Sequence, residues 1–315
     1  MNTAQMEALI RSELWSAYLK ESLEDELQGV KYVDWLNGFP DGTTFTIPSI
    51  GDVPVRNYVE DTPVQYDSLD TGEFQFTITE YVSAATYITA KARQDAYYAA
   101  RLEASFVPKQ LRSIMEKLET DIMALGAGGA SGGQTAADLN QINGADHRWV
   151  ASGTNEVMSV TDFAKALFAL KKANVPDRNL IAIVDPSVEY AMNTITNLTN
   201  VSNNPRWEGI ITSGIASGMR FVKNIYGFDV YTSNYLADAN ETIDGKTTAA
   251  GKANLFFSAD ASVLPFVGAW RQMPKVDGEW NKDFQREEYV TTARYGLKVY
   301  RPENLVVVLS DTDQV

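Results

Sequence analysis

The order of its sequence patterns predicts an α+β fold for this chain of 315 residues. An extended polar segment precedes a long helical segment, a compact unit of mixed helix and strand follows, and two strand-like runs close the chain. Helices and strands therefore do not alternate regularly. Regular alternation is typical of a doubly wound parallel sheet, so the order argues against the dinucleotide-binding enzymes built on such a sheet.

Composition limits the classes of protein that fit. Apolar residues make up 44% and charged residues 22% of the chain, which is typical of globular domains. With no cysteine and His147 as the single histidine, disulfide frameworks, thiolate metal sites and two-histidine zinc motifs are excluded, and we expect no cofactor. The formal net charge of −14 repels phosphate, so no sequence-specific nucleic-acid binding is expected.

We also expect neither a membrane span nor an export signal. No window of about twenty residues is continuously apolar, as a spanning helix requires. Charged residues such as Glu7 and Arg11 interrupt the apolar residues of the N-terminus, unlike a secretory leader. The expected address is therefore cytosolic.

The first 89 residues are predicted to contain a short helix and a long two-stranded arm. Apolar residues recur at helical spacing from about Thr3 to Tyr18. Alternating apolar and polar residues then begin at Thr43 and again at Phe74, with acidic and turn-forming residues between them. An isolated hairpin of this kind is marginally stable in water, so we expect it to lie against another surface.

A long helix is predicted to end at Gly126. Apolar residues recur at helical spacing from Ala92 to Leu125, but Pro108 interrupts the pattern. Because proline inside a helix costs about 3 kcal/mol, we predict a short helix, a break, and a long helix with Pro108 in its first turn. The glycine-rich residues 126–133 are predicted to form a mobile linker.

A compact unit of helices and strands is predicted from Ser159 onward. Ser159 and Asp162 are spaced as a capping pair before an apolar stripe, which predicts a helix start. Leu180–Val184 is a predicted strand, and Pro186 is suited to begin a helix that continues to Ile195. Further strands are predicted at 228–231, 254–257, 263–267, 289–300 and 305–309, with a turn at 301–303.

Three patterns resemble active or ligand sites. Ser131 lies in the letters of a nucleophile elbow, but a helix and a glycine-rich loop surround it, and the only available base, His147, has neighbours that indicate an exposed turn. Gly245-Lys246-Thr247 matches the end of a phosphate-binding loop, but Asn240 replaces its first glycine, so we predict a polar hairpin tip. The acidic residues of the arm lack the spacing of a calcium loop. A serine hydrolase stays as an alternative from another class.

The acidic residues of the arm are candidates for contact with a neighbouring subunit. Lys and Arg side chains are frequent on the helical segment that follows the arm, whereas the carboxylates of the arm face a single cation. Surface ion pairs contribute about 0 to 1 kcal/mol each, so they act through number and register. A solvated edge that prevents uncontrolled strand pairing is the other interpretation. The candidate contact residues are Arg56, Glu60, Asp61, Asp67, Asp70, Glu73, Arg101, Lys109, Arg112 and Lys117.

Six segments keep an order and spacing that a known family shares. They are residues 43–50, 74–95, 119–126, 180–186, 225–231 and 289–304. In this order they resemble the major capsid proteins of tailed bacteriophages, whose Hong Kong phage fold is shared with encapsulins. The resemblance covers nearly the whole chain.

The resemblance implies an organisation for the chain. Residues 1–42 correspond to the N-terminal arm, 43–89 to the extended E-loop, 90–150 and 276–302 to a peripheral domain with a long spine helix, and 151–275 and 303–315 to the axial domain. Some relatives cross-link their shells through a lysine of the E-loop. This chain has no lysine between Lys31 and Lys91, so we expect that cross-link to be absent.

The resemblance also implies a function. We expect a structural protein without catalytic activity, which assembles in the host bacterial cytoplasm into the pentamers and hexamers of an icosahedral head around double-stranded DNA. Expected partners are copies of the chain, a scaffolding protein, the portal and, as a further candidate, a decoration protein. An encapsulin-type compartment is the alternative within the same fold.

Overall fold

The computed structural model describes residues 27–36, 44–50, 57, 60, 61, 63, 71–95, 99–194 and 224–312. The strands are β1 (Val33–Leu36), β2 (Thr44–Ile50), β3 (Thr71–Thr77), β4 (Glu80–Thr89), β5 (Arg148–Val150), β6 (Leu180–Val184), β7 (Asn224–Ile225), β8 (Phe228–Thr232), β9 (Thr242–Ile243), β10 (Lys246–Thr247), β11 (Gly251–Ser258), β12 (Phe266–Asn281), β13 (Arg286–Val299) and β14 (Val306–Asp311). The α-helices are α1 (Ala90–Asp95), α2 (Ala99–Ala124), α3 (Val160–Lys172) and α4 (Pro186–Thr194), and 3-10 helices lie at Gly29–Tyr32, Thr154–Glu156 and Pro302–Asn304.

A four-stranded sheet with the order β1-β12-β13-β4 forms one half of the described molecule. Strand β1 runs parallel to β12, and the other neighbours are antiparallel. Helix α2 packs on one face of this sheet through its buried apolar residues Ile114, Leu118 and Ile122. On the same face the Tyr295 hydroxyl donates a hydrogen bond of 2.6 Å to Asp121 Oδ2, and burial raises the pKa of this tyrosine.

A six-stranded sheet with the order β5-β14-β11-β6-β8-β7 forms the other half. Every residue of β6 and nearly every residue of β14 is buried, which explains why both strands have continuous apolar sequences. Phe256 of β11 meets the rings of Phe163 and Phe228 edge-on, with centroids 5.1 and 5.3 Å apart. Helix α3 is thereby packed against the centre of the sheet.

The two sheets share one apolar core where they meet. Phe257 of β11 contacts Phe266 at the start of β12, with ring centroids 6.0 Å apart. Buried Leu255 and Leu297, one from each sheet, lie in the same cluster as Leu118 of α2. Apolar packing therefore joins the two halves.

Strands β2 and β3 form a separate antiparallel hairpin, the arm hairpin, in which Thr44 pairs with Thr77 and Ile50 with Thr71. This confirms the two strands predicted in the arm. The chain then enters β4, which pairs with β13 along its whole length. The helix predicted from Thr3 to Tyr18 lies outside the described residues.

The predicted break at Pro108 is wrong, because α2 continues through this proline. Proline inside a helix removes one hydrogen bond and costs about 3 kcal/mol in isolation. Pro108 itself is exposed, whereas Phe106 and Gln110 on either side are buried. Packing of the helix on the sheet outweighs the local preference. The predicted end of the helix near Gly126 is confirmed, since α2 ends at Ala124.

The predicted mobile linker at 126–133 is also wrong, because this loop is packed and hydrogen-bonded. The Gly128 amide donates to Glu241 Oε1 at 2.7 Å, and the Val299 amide donates to the Gly132 carbonyl at 2.8 Å. Glu241 in turn pairs with the fully buried Arg148 at 2.6 Å. Burial acts to raise the pKa of Glu241, but the bonds from Arg148 and Gly128 outweigh it and lower that pKa. Glycine here permits close packing and not mobility.

Most predicted elements of the second unit are confirmed. Ser159 and Asp162 form a capping box at the start of α3, and Pro186 begins α4. Ile195 lies outside the described residues. The strand predicted at 263–267 is wrong at its start, because β12 begins at Phe266 and continues to Asn281, with register shifts between Trp270 and Lys275. From Lys275 to Trp280 every residue of β12 is exposed, so the alternation of buried and exposed residues that sequence reasoning relies on is missing there.

Candidate inter-subunit contact surfaces

The arm hairpin presents an exposed, polar surface. Thr44, Thr46, Glu73 and Gln75 are exposed, and so are Glu60 and Asp61 farther along the arm. The alternation of side chains explains this pattern, since β3 turns Phe74 and Phe76 to one face and Glu73, Gln75 to the other. The acidic side chains are therefore available to another molecule.

The arm hairpin is joined to the body through a small apolar contact, called the seat. Phe76 and Ile78 are buried there against Val267 and Ala269 of β12. Gly296 allows this approach, because a Cβ at that position would lie 2.9 Å from both Ile78 Cα and the Thr77 carbonyl oxygen. The direction of the arm is consequently set by buried contacts at its base.

Ring and cation contacts extend the seat toward the arm. Phe74 meets the Tyr300 ring edge-on at 5.0 Å, and the Lys298 ammonium lies 4.6 Å from the centroid of the same Phe74 ring. Lys298 Nζ also donates a hydrogen bond of 2.7 Å to the Gln75 carbonyl. The base of the arm is therefore held by apolar, cation–π and hydrogen-bonding contacts together.

The structure describes the side chains of six of the ten candidate contact residues. Glu60, Asp61 and Glu73 are exposed on the arm, and Lys109 is exposed on α2. Two further cations of α2 are already paired within the helix: Arg112 with Glu116 at 2.9 Å, and Lys117 with Asp121. The candidates Arg56, Asp67 and Asp70 and the side chain of Arg101 lie outside the described residues.

The ion pairs within α2 do not prevent contacts with a neighbour. Both are i,i+4 pairs at the surface, and such pairs stabilise a helix by only about 0.3–0.5 kcal/mol. An incoming carboxylate can replace the helical partner at little cost. The exposed cations of α2 therefore match the exposed carboxylates of the arm in charge and accessibility.

Sequence reasoning missed a second exposed surface, on the hairpin formed by β12 and β13. Its tip carries Trp280, 45% exposed, and Phe284, 66% exposed, and the Arg286 guanidinium lies 4.7 Å from the Phe284 ring centroid. The signal that could have found this surface is Trp280 among the polar residues Glu279, Asn281 and Lys282, a pattern typical of an interface anchor. Other large exposed apolar side chains among the described residues are Tyr81, Leu111, Phe168, Tyr190, Tyr226, Tyr231, Met273 and Val276.

The predicted exposed turn at His147 is wrong. Only 1% of His147 is exposed, and its Nδ1 lies 3.1 Å from the Ala145 carbonyl oxygen. Its charged neighbours have partners of their own, since Asp146 pairs with Lys165 and Arg148 is buried. Burial, which disfavours the imidazolium ion, lowers the pKa of His147. The imidazole is therefore a neutral core side chain, whereas the side chain of Ser131 is exposed.

The glycine-lysine-threonine pattern has an ordinary structural explanation. Gly245-Lys246-Thr247 belongs to the small hairpin of β9 and β10, with positive φ at Asp244 and Gly245, so the predicted polar hairpin tip is confirmed. Within the described ranges, no three or more His, Cys, Asp or Glu side chains are grouped so that they could hold a metal ion. Among the described helices, none is long and apolar enough to span a membrane.

Comparison with known proteins gives a consistent result. Residues 72–308 match the family described as phage capsid protein. The fold is similar to that of a protein of Mycobacterium phage Che8, with 16% identity, a TM-score of 0.63, and 94% of this chain and 96% of that chain covered. No curated protein sequence matches the chain.

Two further solved structures share the fold. The capsid of cyanophage P-SCSP1u has 14% identity and a TM-score of 0.69, with 96% of this chain and 93% of that chain covered. The mature capsid of bacteriophage PhiM1 has 11% identity and a TM-score of 0.68, with 97% and 93% covered. At such low identity these likenesses show the fold.

Proposed function

Because the chain belongs to the phage capsid protein family, we propose that its copies assemble as pentamers and hexamers into an icosahedral head that encloses double-stranded DNA. Family membership makes the chain a structural capsid protein of the virion, which forms a shell with copies of itself. The observation that supports the finer proposal is the arm hairpin, a separate two-stranded sheet, because such a hairpin is marginally stable by itself and is stabilised by lying against another surface.

We propose the domain organisation implied by the sequence: an N-terminal arm (1–42), an E-loop (43–89), a peripheral domain (90–150 and 276–302) and an axial domain (151–275 and 303–315). The separate two-stranded sheet of the arm hairpin supports the E-loop. The four-stranded sheet with α2 supports the peripheral domain, in which α2 is the spine helix. The six-stranded sheet supports the axial domain.

In the shell, the carboxylates of one subunit's arm contact the cations of the next subunit's α2. Glu60, Asp61 and Glu73 supply exposed negative charge, and Lys109, Arg112 and Lys117 supply positive charge at the surface of α2. Each pair contributes about 0 to 1 kcal/mol, so the contacts act by repetition around the shell. The E-loop lysine cross-link of some relatives is absent, because residues 32–90 contain no lysine.

The other proposed partners are proteins that take part in building a head that packages a genome. The head assembles in the host cytoplasm with a scaffolding protein and a portal, and a decoration protein is a further candidate partner. An encapsulin-type compartment has the same shell without a packaged genome. Nuclease-protected double-stranded DNA inside particles isolated from infected cells distinguishes a phage head from a compartment.

The test is the size of the assembled protein. Expressed alone and with a scaffolding protein, the chain is expected to sediment at megadalton mass and to form closed, uniform particles under the electron microscope. Ser131→Ala is the matched control for the hydrolase hypothesis and should leave assembly unchanged. A chain that remained monomeric under all conditions would contradict the proposal.

A further inference from the structure

Residues 28–36, called the strap, cross the joint between the two sheets. The 3-10 helix Gly29–Tyr32 places the Tyr32 ring edge-on to Phe257 of the six-stranded sheet, with centroids 5.1 Å apart. Strand β1 then joins the four-stranded sheet beside Phe266–Ala269. The ring of Trp35 stacks on Trp270 at 5.3 Å. The strap therefore contacts both halves of the subunit.

The strap is bound to α2 by a buried carboxylate. Glu119 is fully buried, and its Oε1 accepts hydrogen bonds from the amides of Gln28 at 2.9 Å and Gly29 at 2.7 Å. Its Oε2 accepts a second bond from the Gly29 amide at 2.8 Å. A Cβ at Gly29 would lie 3.0 Å from Oε2, so the backbone comes as close to the carboxylate as glycine permits.

The strap and the carboxylate depend on each other. A buried carboxylate without partners is strongly unfavourable, and here backbone amides of the strap are the partners. Burial raises the pKa of Glu119, and the hydrogen bonds from Gly29, Gln28 and Val30 act in the opposite direction. Lifting the strap would also expose Val33 and the Tyr32 ring. Partial release is consequently unfavourable, which gives the contact two states, closed and open.

We propose that Glu119 is a latch that holds the strap across the joint and thereby fixes the orientation of the two sheets in the free subunit. Gln28 extends the link, because its Nε2 donates to the Thr232 carbonyl of β8 at 3.4 Å, on the far side of the joint from α2. The consequence for assembly rests on the proposed function. A fixed orientation keeps the surfaces of both sheets in the same relative position in every subunit, and repeated contacts between copies depend on such uniform surfaces.

Hydrogen exchange of the full chain tests the latch directly. Glu119→Gln keeps one acceptor oxygen, but it removes the negative charge and places an amide NH₂ where Oε2 accepts from the Gly29 N–H. The amides of residues 28–30 should therefore exchange about tenfold faster or more. The amides of β1 should follow, while those of β6 and β14 remain protected. Glu279→Gln, the same change at an exposed position of β12, is the matched control and should leave the strap unchanged.

Glu119→Asp is a second variant, which keeps the test decisive if Glu119→Gln does not fold. It keeps the charge but withdraws the carboxylate by one methylene, and it should also accelerate exchange in residues 28–36. Faster exchange in the strap with protected β6 and β14, in either variant, supports the latch. Unchanged strap exchange, or equal acceleration throughout the chain in both variants, overturns it. Because exchange is measured on the subunit, this result is independent of whether the wild-type chain forms particles.

Discussion

The two sheets of this subunit bury their strands differently. The six-stranded sheet is apolar on both faces at its centre, so its strands stabilise the fold itself. The four-stranded sheet is covered by α2 on one face, whereas Tyr81, Ser83 and Ala85 of β4 are exposed on the other. It also carries the arm hairpin and the exposed end of β12. One half therefore stabilises the subunit, whereas the other half leaves more of its side chains exposed at the surface.

A substitution in the centre of the six-stranded sheet should have the largest effect on stability. Phe256→Ala removes a fully buried ring between Phe163 and Phe228 and should cost about 3–5 kcal/mol of the free energy of unfolding. Denaturant unfolding measures the loss. Trp280→Ala, at the exposed tip of β12 and β13, is the contrasting variant and should cost under about 1 kcal/mol. Equal costs for the two variants would contradict the comparison.

The seat of the arm should show an intermediate effect. Gly296→Ala introduces a Cβ 2.9 Å from the Thr77 carbonyl oxygen, so the base of the arm must shift, at a cost of about 1–3 kcal/mol. Unfolding experiments measure this cost, and sedimentation measures the accompanying loss of particles. Gly278→Ala is the control, because its Cβ would come no closer than 3.4 Å to another atom, the nearest being atoms of the Tyr289 ring. Assembly of Gly296→Ala at wild-type yield would show that the seat does not set the direction of the arm.

Sequence reasoning succeeded where local and tertiary preferences agree. Ser159 with Asp162 predicted the start of α3, and the continuous apolar run Leu180–Val184 predicted a buried strand, because capping and burial act within a few residues. It failed at Pro108 and in the loop 126–133, where packing on the sheet and the bond to Glu241 override propensity. The length of β12 was missed because residues 275–280 are all exposed, so no alternation of buried and exposed positions marks the end of the strand.

The same limit applies to the candidate surfaces. Charge predicted the exposed carboxylates of the arm, since acidic side chains rarely become buried without partners. Charge also misled at His147, because Asp146 and Arg148 are polar neighbours whose partners come from distant segments. In the sequence, the buried carboxylate of Glu119 was not distinguishable from the other glutamates of α2, as its partners lie some ninety residues away, at Gln28 and Gly29.

The buried imidazole gives the six-stranded half a specific pH dependence. Burial lowers the pKa of His147 below its ordinary 6.5, so the neutral form is favoured in the folded state. The neutral imidazole therefore contributes fully to stability above about pH 6.5, which is the pKa of histidine in the unfolded chain. This contribution is lost as the pH falls below that value toward the pKa of His147 in the folded protein. Urea midpoints between pH 7.5 and 5 measure the loss. His147→Phe should reduce this slope, and an unchanged slope would show that other groups cause it.

The smallest effect on stability, with a large effect on assembly, is expected from charge reversal on the arm. Glu73→Lys changes an exposed side chain of β3 and should alter the free energy of unfolding by less than about 0.5 kcal/mol. If the arm meets the cations of a neighbour's α2, the reversal places like charges together at every copy of the contact, and particle yield should fall. Because salt screens exposed charges, raising the ionic strength should restore part of the yield.

Combining Glu73→Lys with Lys109→Glu should restore assembly at low salt. Glu189→Lys, on α4 of the other half, is the single charge reversal used for comparison. Particles of Glu73→Lys that form with wild-type yield and salt dependence would show that the acidic arm is only a solvated edge.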